Sequence, residues 1–322
     1  MEPGVYLDKI PLKFLTLSDG GENTEHDDEN GEEGKRILRK SWLLALSLLL
    51  VSLAFLPAGS AQAADSKWIS QVWSKYETYN KKTVASYDAY MKKTTDTYNA
   101  YFKEQNDRLA ELERIVLEDQ KQWNERLEAD LAELEERYGD DRELKQELKE
   151  YERDINPNLL SSPMGLYTRA ANRNLLSSTL GVYARALNEN LLSSYMAEYK
   201  KAVNPNNLSS PANSLKKTVS DSYLSSPMNT LMKSSSTNYI SSPIYKYSRG
   251  KISKTKAQQE YNKLYKKYTE QISKDTAAHK KEIAETAASA DRKIQQLYLE
   301  TVSALEKQRN ETLQSISDQR KK

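Results

Sequence analysis

Residues 76–83 read YETYNKKT, residues 87–94 read YDAYMKKT and residues 98–105 read YNAYFKEQ. The phrase returns every eleven residues. Around it, stripe positions recur at steps of four, three and four: Val72, Tyr76, Tyr79; Thr83, Tyr87, Tyr90; Thr94, Tyr98, Tyr101. The series continues through Gln105, Leu109, Leu112, Val116, Gln120, Trp123, Leu127, Leu131 and Leu134 to Tyr138. Eleven residues over three turns is about 3.67 per turn, close to the natural helix, so the stripe stays nearly straight. The spacing predicts one long helix over 64–138. Gly139 and Asp140 read as a stop and a new N-cap. A short acidic helix within 139–154 then carries Leu144, Leu148, Tyr151 and Ile155 on one face.

The C-terminal segment 251–322 has the same period. Tyr261, Ile272, Ile283, Ile294, Leu305 and Ile316 stand eleven apart, with Tyr265, Tyr268, Ala287, Ala290, Tyr298 and Thr301 between them. Thr255 with Gln258 offers a capping box at its start. Off the stripe, both helices are rich in Lys, Glu, Gln and Arg, good helix formers for a solvated face. Each helix is about 100 Å long at ~1.5 Å per residue. A stripe of that length needs a partner. Two helices of similar length, acidic over 104–154 and basic over 254–322, suggest an antiparallel coiled-coil hairpin. One such register sets Tyr76 beside Ile316, Tyr87 beside Leu305, Tyr98 beside Ile294 and Leu109 beside Ile283, with Ile272 continuing the seam. The stripe is narrow, so self-association through these seams is also expected.

Between the helices, residues 155–250 repeat every sixteen. The units read INPNLLSSPMGLYTRA, ANRNLLSSTLGVYARA, LNENLLSSYMAEYKKA, VNPNNLSSPANSLKKT, VSDSYLSSPMNTLMKS and SSTNYISSPIYKYSRG. A fixed period means stacked equivalent units. Ser162 and Pro163 form an N-cap and N1 pair, so Met164, Leu166, Tyr167 and Ala170 are expected to line a short helix. Asn156 and Asn158 flank a turn in which Asn tolerates left-handed geometry, and Leu159 and Leu160 read as a short buried step. This predicts a helix-containing solenoid. The alternatives are a β-solenoid or a partly ordered Ser- and Asn-rich segment. The fifteenth position of each unit is basic: Arg169, Arg185, Lys201, Lys217, Lys233 and Arg249. Stacking makes these a row of cations, which suits an anionic polymer of a cell wall, or nucleic acid. The plainer reading is a solvated edge that keeps the array from pairing.

Residues 42–56, WLLALSLLLVSLAFL, form an uncharged apolar run. Lys35, Arg36, Arg39 and Lys40 precede it and Ala61-Gln62-Ala63 follows. Basic flank, short apolar core and a small-x-small site predict a signal peptide over 35–63, cleaved after Ala63. The run is short for a membrane span. Residues 1–34 are acidic and polar and suit no part of a signal peptide. Glu32-Glu33-Gly34 can be encoded as a ribosome-binding sequence, so translation is expected to begin at Ile37 or Leu38.

The 322 residues would ordinarily make two or three domains, but only 38% are hydrophobic and mean hydropathy is −0.82. That composition suits narrow stripes and small repeats. No Cys is present, which removes disulfides, thiolate metal sites and a lipid-modified cysteine; two His leave little for a metal or triad site. There is no nucleophile elbow, metal-binding HExxH or Gly-rich phosphate loop. His279 falls on the helical seam as a tolerated interior residue, and the Ser pairs lack a base and read as caps. No catalytic residue, cofactor, metal or small-molecule substrate is expected. The tyrosine rows could stack carbohydrate, but at helical spacing they read as core. The sequence as a whole predicts an exported, elongated structural or adhesive protein of a bacterial envelope or surface. The alternative is a peripheral protein laying its amphipathic helices on a membrane. An envelope enzyme is a distant third.

Overall fold

The computed structural model describes residues 66–138 and 142–319. The expected leader, signal peptide and cleavage site, and the expected stop at Gly139 and Asp140, lie outside them. The chain is mainly α, and no strand occurs among the described residues. Two helices dominate: α1, Ser66–Tyr138, and α9, Lys254–Gln319. Between them come α2, Arg142–Asp154, and six short helices: α3, Pro163–Ala170; α4, Thr179–Ala186; α5, Tyr195–Val203; α6, Pro211–Val219; α7, Pro227–Ser235; and α8, Pro243–Ser248. All of them belong to a single unit and share a continuous set of buried clusters.

The long helices run parallel, which corrects the antiparallel expectation. The Tyr79 hydroxyl donates to the Thr269 carbonyl and the Tyr90 hydroxyl to the Lys280 carbonyl, each at 3.4 Å. Near the other end, Arg309 grips Asp119 through two bonds of 2.7 and 2.8 Å. Partners rise together along both helices at a constant offset, as a parallel pair requires. Tyr76 therefore clusters with Ile272, Met228 and Leu231, far from Ile316. The intervening segment decides this. It runs back along the pair and delivers the chain to the starting end, a long crossover in place of a hairpin loop. Complementary charge is indifferent to orientation, so it could not tell the two arrangements apart.

α2 turns the chain. Tyr151 and Ile155 are buried, and the Tyr151 hydroxyl donates to Asp130 of α1 at 3.3 Å. The six short helices then pack against both long ones. Thr312 of α9 donates to the Pro163 carbonyl at the start of α3, and Ile244 of α8 shares a cluster with Val72 and Tyr261 at the far end. Each sixteen-residue step thus covers about eleven residues of helix, roughly 16 Å. The two periods of the sequence are commensurate in space.

Each short helix begins on the second serine of its pair: Ser162, Ser178, Ser194, Ser210, Ser226 and Ser242. Each hydroxyl accepts a helix N–H, from Gly165 at 2.8 Å in α3 and from Ala197 at 3.0 Å in α5. It also donates back into the preceding turn, from Ser162 to the Asn156 carbonyl at 2.6 Å. The serine therefore fastens a helix start to a loop. The asparagines act through their side chains: Asn156, Asn172, Asn188 and Asn204 each accept the N–H two residues on at 2.9 Å. No described non-glycine residue has positive φ, so left-handed Asn geometry is replaced by this side-chain turn. At the head of α9, Ser253 rather than Thr255 makes the cap, accepting from Lys256 at 3.3 Å.

Candidate interaction surface

Three lines of side chains run down the six short helices and their loops, one facing the core and two facing outward. Met164, Leu180, Met196, Ala212, Met228 and Ile244, sixteen apart, are all 0% exposed. Behind them Tyr167, Tyr183, Tyr199, Leu215 and Leu231 are also buried. These side chains complete the core between the long helices. Of the seam residues expected from sequence, Tyr76, Tyr98, Leu109, Ile272, Ile283, Ile294 and Leu305 are buried, while Tyr87 and Ile316 are partly buried against the same cluster. The seam is thus filled from within the chain.

Polar side chains pin this core at fixed heights. Asp119, itself buried, accepts from Tyr167 at 2.9 Å and from Arg309, tying α1, α3 and α9 together. Tyr183 donates to Gln105 at 3.0 Å, and Tyr76 to Asp221 at 2.8 Å. Tyr98 donates to Glu189, which also takes a bond from Lys200 at 2.8 Å. Burial pushes the hydroxyls of Tyr76, Tyr98, Tyr101, Tyr167 and Tyr183 well above the ordinary phenol range. A nearby acid adds to this in each, and at Tyr183 the Arg108 charge opposes it. Burial raises Tyr261 to about 12. Burial also opposes ionisation of Glu189, but its bonds from Lys200 and Tyr98 prevail and hold it below the usual carboxylate range.

The second line is the predicted cation row. Arg169, Arg185, Lys201 and Arg249 are exposed, and Lys217 and Lys233 are half-buried. All six sit at or beside the last turn of their helices, where the helix dipole favours a positive charge. None forms an ion pair among the described residues. The later cations have aromatic neighbours instead: Lys217 lies 5.1 Å from the Tyr223 ring centre, Lys233 5.7 Å from Tyr239 and Arg249 5.5 Å from Tyr245. At roughly 16 Å between units the six stand farther apart than the screening length at physiological salt, so each acts singly.

The third line was missed from sequence. Leu160, Leu176, Leu192, Leu208, Leu224 and Ile240 are 64, 65, 94, 78, 79 and 71% exposed. Leu160 is therefore no buried step, and Leu166 likewise faces outward. The outward placement follows from the cap. The second serine turns inward to start its helix, and the residue two before it in the loop points away. The signal was present: this position is Leu in five units and Ile in the sixth, while the one before it varies through Leu, Asn and Tyr.

Among the described residues, no cluster of His, Asp or Glu is placed to hold a metal, and no helix is long and apolar enough to cross a membrane. His279 is half-buried on α9, 3.8 Å from Glu282. Compared with protein-family models, curated proteins and solved structures, the chain matches none of them.

Proposed function

We propose that this chain is an exported, elongated scaffold of a bacterial envelope or surface, working by presentation and adhesion rather than by catalysis. In this reading α1 and α9 form a coiled-coil stalk. The six capped helices are a solenoid array that serves as its third strand and its working face. The observation that carries this is the match of periods, sixteen residues of array to eleven of helix. It repeats one surface at even intervals along the stalk, an arrangement suited to multivalent contact. The unpaired cations give that face affinity for anionic partners. The seams are already filled by the array, so the scaffold needs no second copy to bury them. The same filling argues against the long helices lying on a membrane by their apolar stripes.

Small-angle scattering on Ala64–Lys322 tests the shape. A long, thin particle is expected, and a radius ordinary for a domain of this size overturns the reading. Fractionation of cells carrying the tagged protein tests the address. Recovery from the envelope or medium supports it, and recovery from the cell interior opposes it.

A further inference from the structure

The exposed apolar line is unexplained by the fold. Removing it would leave every cap and every core contact in place. Yet it recurs in all six units, each time beside an exposed first serine: Ser161, Ser177, Ser193, Ser209, Ser225 or Ser241. The apolar tips do not stand alone. Lys217 and Lys233 lie against Tyr223 and Tyr239, the residues just before Leu224 and Ile240. Arg185 and Leu191, the neighbour of Leu192, wall one shallow groove. Each of these tips is an apolar side chain with a cation close by.

The acids of the array are turned to other work. Residues 155–250 contain Glu189, Glu198 and Asp221 against ten Lys and Arg. Glu189 is held by Tyr98 and Lys200, Asp221 accepts from Tyr76 and Asn80, and Glu198 lies 3.9 Å from Lys293. Of the basic residues, Arg173, Lys200 and Lys246 meet Glu113, Glu189 and Glu260. The charge left facing outward is positive.

We infer that this ridge docks on an anionic lipid bilayer, the Leu and Ile tips entering the headgroup boundary while the cations beside three of them, Arg185, Lys217 and Lys233, meet lipid phosphate. The proposal rests on the scaffold reading and names its partner. Spacing and charge select the occupant. Tips roughly 16 Å apart make no contiguous patch of the kind a protein interface needs at its centre, whereas a bilayer accepts isolated apolar side chains. A second copy of the ridge would bring like charges together. An anionic polymer would use the cations and leave the leucines without purpose. Exposed Tyr beside the tips suits the same wet boundary.

The test uses Ala64–Lys322, which omits the apolar run 42–56, and vesicles of equal parts phosphatidylglycerol and phosphatidylcholine. Co-sedimentation is expected. Changing Leu160, Leu176, Leu192, Leu208, Leu224 and Ile240 together to Ser should weaken it by roughly a hundredfold, since six apolar insertions are lost. Helix content and melting temperature should stay unchanged, because these side chains touch solvent. Changing Arg169, Arg185, Lys201 and Lys217 to Gln should cost about tenfold and erase the preference over pure phosphatidylcholine. Vesicle binding that survives the six-Ser change overturns the proposal. So does an absence of vesicle binding, whether the chain instead binds soluble polyphosphate or forms a dimer that the six-Ser change dissolves. A chain that is elongated in scattering yet ignores vesicles defeats the lipid proposal alone. A compact chain defeats the scaffold reading beneath it.

Discussion

The long helices and the array are equally periodic, yet they use periodicity in opposite ways. In α1 and α9 the conspicuous repeated residues, Tyr76 and Ile272 among them, are buried. In the array one repeated apolar position is buried without exception and another, four residues earlier, is exposed without exception. A period shows that units are equivalent. It does not show which way a given position faces. On a helix the facing can be read because 3.6 residues per turn converts sequence spacing into direction. In a sixteen-residue unit made half of loop, direction is set by the cap and the turn.

Alkaline titration should have the largest effect, and it strikes the buried rows. Folded phenol pKa values are raised, so the folded chain keeps protons that the unfolded chain releases above about pH 10. Stability is complete below that point and falls as pH rises through the folded values, including the value of about 12 at Tyr261. The phenolate absorbance of the buried rings and the helical circular dichroism should change together in one cooperative step. The full phenolate absorbance of all the tyrosines reached while the helices persist would contradict burial of the rows.

Tyr183→Ala removes a fully buried ring from the array side and should cost about 3–5 kcal/mol in urea unfolding. Asp119→Ala cuts the knot joining α1, α3 and α9, leaving Tyr167 and Arg309 unmet. Arg309 keeps 30% of its side chain in water, so a loss of about 2 kcal/mol is expected, below the ~3–5 kcal/mol of a fully buried pair. Ser194→Ala deletes one cap of six and should cost about 1 kcal/mol by the same measurement. At the far end of the scale, Leu192→Ser should move stability by less than about 0.5 kcal/mol, because that side chain is 94% exposed. A cost like that of Tyr183→Ala would mean the ridge is core after all, and the contrast between the two regions would collapse.

Much of the architecture was legible in the chain. The long helices declared themselves through the eleven-residue step, and the serine pairs through their Pro-flanked cap chemistry. The basic position stood out as a column, because a charge at a helix C-terminus recurs with the unit. The Leu tips did not, because Leu159-Leu160 reads like any apolar pair until the cap geometry separates the two. The Asp119, Tyr167 and Arg309 knot was also hidden. Its members lie far apart in sequence and meet only once the helices run in parallel at a constant offset.

What the sequence alone determined is local: helix extent, capping and unit length, each governed by interactions within about four to sixteen residues. Orientation of the long pair, and the choice of which apolar column faces outward, belong to the tertiary structure. Both depend on how a sixteen-residue loop-and-helix unit closes against an eleven-residue helical step, a fit between segments that meet only in the folded chain.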